Sequence, residues 1–179
     1  MSRQLLITIH LYLSSFFAAV ILLVAISGGL YLLGYGGEVA TTEVATVSGG
    51  AQLDGDRSKD SVAAVLARAG VEGFSFDYVR HRGNTLYTRP TSEQHYILTI
   101  EGDEITVTEA QPNLQKRMME LHMGHGPSIY KNFQKFFAAG MVFIMVSGLW
   151  LGLSSPRLRR NTLISAGSGL LIFIVLIMS

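Results

Sequence analysis

The sequence predicts an α-helical membrane protein: three transmembrane helices and a small extracytoplasmic α+β domain, one helix laid on an antiparallel sheet. Three observations predict it. All thirteen acidic residues of the 179-residue chain lie between Glu38 and Glu120. The stretches Leu5–Leu33, Phe136–Leu153 and Leu163–Met178 contain no Asp, Glu, Lys or Arg. Between the first two of these the pattern changes to one helical period followed by short alternating runs.

About twenty apolar residues cross a bilayer core. The first span, 5–34, exceeds that length and should tilt or project beyond the lipid. It is roughly twice a secretory h-region and stays apolar after Ser27-Gly28-Gly29, so it is read as an uncleaved anchor. The apolar stretches Phe136–Leu153 and Leu163–Met178 are near the lower limit and cross with flanking residues included, giving spans two and three over 128–153 and 163–178. The loop between them, 154–162, has three arginines and no acid, and the N-terminus has Arg3 and no acid. By the positive-inside rule both lie in the cytoplasm. Residues 37–130 and the C-terminus then face the other side, the periplasm if the membrane is a bacterial inner membrane.

In the domain expected over 37–111, Thr41–Val47 alternates weakly and is read as a short strand. Asp56 or Ser58 caps a helix over Lys59–Ala69 with Val62, Val65, Leu66 and Ala69 facing a core, and Gly70 sits at its C′ position. Four strand-like runs follow: Phe74–Val79, Thr85–Arg89 up to Pro90, His95–Ile100, and a run through Ile105 and Val107. A sheet of this alternation buries one face, and the helix covers it. An amphipathic helix over Asn113–Met123 and a turn complete the juxtamembrane segment, 112–126. Span two begins near Pro127 or Ser128.

Composition narrows the chemistry. With no cysteine, the chain has no thiolate metal site, iron–sulfur cluster or c-type haem attachment. A net charge of +1 without a basic stripe gives no nucleic-acid signal. No paired-carboxylate site, nucleophile elbow, P-loop or dinucleotide fingerprint is present, and no catalytic residue is assigned. The Met118–Met123 run with His122 has donor types that suit copper, but methionines at helical spacing beside a membrane are read as apolar contact.

Several stretches carry a resemblance. They are Ile9-His10-Leu11-Tyr12-Leu13-Ser14 leading to Ile26-Ser27-Gly28-Gly29-Leu30-Tyr31, then Leu121-His122-Met123-Gly124-His125-Gly126, and Ser147-Gly148-Leu149-Trp150-Leu151-Gly152-Leu153. Together with a helix and small meander between a first span and a later span pair, they resemble the PepSY-associated transmembrane family in a short, three-span form. The resemblance implies a PepSY-like domain outside the cytoplasm. Larger members of that family include haem-containing siderophore and ferric reductases of the inner membrane, and this chain has fewer spans than those.

The candidate ligands are His10, His122 and His125. An imidazole in a span is costly unless paired or at the interface. His10 is either an axial haem ligand near the cytoplasmic face or a histidine hydrogen-bonded to Ser14 or another helix. His122 is a candidate ligand at the far membrane boundary, or a helix-end residue satisfying freed carbonyls. His125 is read as a structural partner of that site. His81 and His95 are read as ordinary exposed or half-buried residues. From His10 to the far end of span one is roughly 35 Å, so His10 and His122 cannot share one iron within a subunit. A haem would need a second copy or another protein. Gly148 and Gly152, with Gly167 and Gly169, give spans two and three small-residue faces for helix packing, within the chain or between copies.

Three functions are weighed, and the first is the one the sequence reading chooses. The first is an accessory or scaffold subunit that presents its domain to a partner in a membrane complex, without enzymatic activity. The second is a haem b-binding electron-transfer subunit linked to iron uptake. The third, from the resemblance alone, is a peptidase regulator. Expected partners are membrane lipid and a second copy or another membrane protein, with no nucleic acid.

Overall fold

A computed structural model describes residues 2–179. The elements are α1 (Arg3–Leu32), β1 (Val39–Ser48), α2 (Gly50–Gly55), α3 (Lys59–Arg68), β2 (Tyr78–Arg82), β3 (Thr85–Arg89), β4 (His95–Glu101), β5 (Glu104–Pro112), α4 (Leu114–His122), α5 (Ser128–Leu153) and α6 (Arg159–Met178). Helices α1, α5 and α6 are each long and apolar enough to cross a membrane. The chain divides into two compact units, Met1–Ala19 with Lys135–Ser179, and Val20–Gln134.

In the first unit α1 and α5 pack through aromatic rings. Phe17 is fully buried, with its ring 5.4 Å from that of Phe136 and 5.3 Å from that of Phe137. Gly140 is the reason the ring fits, because a Cβ there would overlap Phe17. The α5–α6 hairpin is equally close at Gly152, where a Cβ would lie 2.5 Å from Thr162 Oγ1. Helix α6 takes in Arg159 and Arg160, which the sequence placed in a loop. The nine residues Leu170–Met178 are between 44 % and 82 % exposed. An apolar surface of that extent is covered by lipid or protein.

The second unit holds a five-stranded antiparallel sheet in the order β1-β5-β4-β3-β2. Its register follows from the apolar alternation. Leu86 pairs with Leu98, Leu98 with Val107 and Val107 with Ala45, a row of core residues crossing four strands on one face. A slip of one residue would send all of them to the other face. Gly83 and Gly102, both at positive φ, close the two-residue turns of the β2–β3 and β4–β5 hairpins.

Helix α3 covers that face with Val62, Val65 and Leu66. Ser58 caps it, accepting from Ser61 N at 3.2 Å. Gly70, at φ +85°, ends it, with Gly70 N donating to Ala67 O and Val71 N to Leu66 O. The cover is not one helix alone, because α2 adds Leu53 to the same core.

Two strand assignments differ from expectation. Phe74 and Phe76 precede β2 instead of forming it. They fold onto the core, with the Phe74 ring 4.7 Å from that of Tyr96. Asp77 then anchors the chain by accepting from Ser128 N at 2.8 Å and Ser128 Oγ at 2.7 Å. Strand β1 is longer than its weak alternation suggests, because it pairs along almost the whole of β5.

Candidate functional site

Each unit contains a histidine seated on a Ser-Gly dipeptide of a neighbouring helix. In the first unit His10 Nδ1 on α1 lies 2.8 Å from Ser147 Oγ on α5. A Cβ on the adjacent Gly148 would stand 3.2 Å from His10 Cε1. In the second unit the roles of the elements are exchanged. His122, the last residue of α4, places Nδ1 3.0 Å from Ser27 Oγ on α1. A Cβ on Gly28 would stand 3.2 Å from His122 Cε1. In both, serine supplies the polar partner and glycine lets the ring approach the helix.

Each serine also has a backbone carbonyl within reach. Ser147 Oγ donates to Ile144 O at 3.1 Å, and Ser27 Oγ donates to Val24 O at 3.3 Å. A hydroxyl has one proton to give. A serine that gives it to the carbonyl accepts from the ring at Nδ1–H, and that arrangement leaves a lone pair on Nε2; a serine that gives it to Nδ1 puts the ring hydrogen on Nε2. Neither Nε2 makes a hydrogen bond among the described residues. An imidazole held at Nδ1–H by an acceptor is the form that ligates a metal through Nε2.

His125 has a different partner from His122. Helix α4 ends at His122, and Gly124, at φ +77°, turns the chain away. His125 Nδ1 then lies 2.7 Å from Glu120 Oε2. Glu120 is 6 % exposed. It also accepts from Thr91 Oγ1 at 2.6 Å and from Lys116 Nζ at 3.0 Å, with Arg89 Nη1 at 3.8 Å. Burial pushes its carboxyl up, but the bonds from Thr91, Lys116 and His125 outweigh burial and hold it below the ordinary value of 4.5. Glu120 thus ties α4, the residue after the β3 turn and the post-α4 loop together, a role the sequence did not disclose.

The two remaining histidines differ from each other. His81 is exposed on β2. His95 is buried, its Nδ1 2.9 Å from Glu93 O, and burial lowers its pKa below 6.5. Among the described residues no three His, Cys, Asp or Glu side chains group as a metal site. Each Ser-Gly seat therefore offers iron one imidazole. Of the glycines read as packing positions, Gly148 and Gly152 make the contacts given above, while a Cβ on Gly167 or Gly169 would meet nothing within 4 Å.

The sheet face opposite α3 is also shaped. Arg80 pairs with Tyr87, Tyr87 with Ile97 and Ile97 with Thr108, a row parallel to the core row but on the uncovered side. With α4 along one flank, it bounds a cavity of about 850 Å³.

Comparison with protein-family models, curated proteins and solved structures finds no match to this chain.

Proposed function

We propose that the protein is a haem-binding electron-transfer subunit of a bacterial inner membrane. Its N-terminus is cytoplasmic and its folded domain, resembling PepSY domains, is periplasmic. The observation that carries this reading is the paired seating of His10 and His122. One imidazole on the apolar α1 and one at the end of the amphipathic α4 each hold Nδ1 within hydrogen-bond distance of a serine, and neither Nε2 makes a hydrogen bond among the described residues. A histidine that served only to satisfy its polarity would have no reason to repeat that arrangement with a glycine beside each serine.

Each seat would hold a haem iron through one imidazole, that of His10 or of His122. Bound there, haem would supply a one-electron redox centre. The serines orient the rings, and the glycines let the rings approach the neighbouring helix. The first unit has no histidine besides His10. A second ligand would come from a second copy of the chain, through that copy's His10, or from another membrane protein.

The test is the visible spectrum of the detergent-purified full chain after haem-supplemented expression. A Soret band is expected, reduced by about half in His10→Ala and again in His122→Ala. A colourless protein overturns the reading.

A scaffold role is favoured by a separate observation, the uncovered length of α6. If α6 docks a partner, a membrane protein will co-purify in mild detergent and be lost when α6 carries bulky substitutions at Gly167 and Gly169.

A further inference from the structure

We propose that the open face of the sheet binds a small polyanion, a molecule carrying two or more carboxylate or phosphate groups. The cavity of about 850 Å³ on that face has a size suited to one small molecule. Its fixed charges are Arg80 and Arg82 from β2, Arg89 from β3 and Lys116 from α4, against the single carboxylate of Glu120. Glu120 is already engaged by Thr91, Lys116 and His125. With Lys116 paired to Glu120 and Arg89 3.8 Å from it, the charge left to the cavity is positive and comes from the arginines of β2 and β3. A concave wall focuses that field, and cations on several sides suit a ligand with more than one anionic group.

Arg89 supplies an independent sign. Its Nη1 donates to Thr91 Oγ1 at 2.6 Å, which fixes the guanidinium. Its Nε is buried and has no hydrogen-bond partner. A buried donor without an acceptor costs roughly 1–3 kcal/mol, and Arg89 lines the cavity with a guanidinium whose donors the protein's own acceptors do not use up. Tyr87 and Ile97 form the floor between the cations, so the body of the ligand meets apolar surface while its charged ends reach the arginines.

This inference does not depend on haem. The test is calorimetric titration of the full chain in detergent at low salt, with citrate and separately with inorganic pyrophosphate. Binding of citrate assigns carboxylates and binding of pyrophosphate assigns phosphates; either supports the proposal. Affinity should fall at least tenfold in the Arg80→Gln/Arg82→Gln double variant. Both side chains are exposed, so the fold should be retained, checked by circular dichroism. Arg89→Lys keeps the charge but removes the planar guanidinium fork and should also weaken binding. Any Soret band should be unchanged in the double variant, which separates this site from the histidines. Absence of binding by both probes, or an unchanged affinity in the double variant, overturns the proposal.

Discussion

At the scale of single residues, the sequence disclosed the histidines but not what holds them. His10 and His122 stood out because an imidazole beside or within lipid needs a partner. The partners are 137 and 95 residues away in the chain, so no local pattern could name them. Ser14 was a nearer alternative for His10, yet its hydroxyl donates to His10 O at 2.7 Å and leaves the ring to Ser147. The Ser-Gly dipeptides were visible only as part of a resemblance. Glu120 was not legible at all, since its bonds join three segments. Removing it would strand Lys116 and the half-buried Arg89 without their shared carboxylate, and Glu120→Ala should cost about 2 kcal/mol of domain stability, read by chemical denaturation. Glu120 and His95 both have folded-state pKa values below their ordinary values. Each contributes stability that is complete above its ordinary pKa and is lost as pH falls through the folded one. The melting temperature of the domain should therefore drop on acidification, first below 6.5 through His95 and then below 4.5 through Glu120. In Glu120→Gln the second drop should shrink.

At the scale of elements, alternation and period located most of the domain. Helix α3 was legible from Val62, Val65 and Leu66 and from a cap and a terminal glycine that act locally. The strands β3, β4 and β5 were legible because their apolar residues face one core. Phe74 and Phe76 misled because alternation also fits a loop whose two rings plug the edge of a core. Short α2 gave no periodic signal. It exists because Gly49 N and Gly50 N both donate to Asp103 O, and Gly50 packs against the β4–β5 turn where a side chain would clash. The core that α3 closes should be sensitive to its central residue. Leu66 is 1 % exposed, and Leu66→Ala should destabilise the domain by about 3 kcal/mol, while the exposed Ala67→Ser should change the same denaturation midpoint little.

At the scale of the whole molecule, charge segregation carried the prediction. Three apolar helices and one acidic folded segment were readable from composition, because lipid tolerates no unpaired charge over that length. The orientation drawn from Arg157, Arg159 and Arg160 predicts that protease added to intact spheroplasts cleaves within Glu38–Glu120 and spares the α5–α6 turn. The reverse cleavage pattern would place the histidine sites on the opposite sides of the membrane from those proposed. Function was the least legible level, because each seat is completed by contacts between helices and, in the haem reading, by a ligand outside the chain. That reading rests on the state of two rings before any metal arrives. Nitrogen-15 NMR of the histidine-labelled, haem-free protein near neutral pH measures it directly. His10 and His122, assigned by their Ala variants, should show protonated Nδ1 and unprotonated Nε2. Signals from the opposite tautomer, with the hydrogen on Nε2 in both rings, would contradict the account.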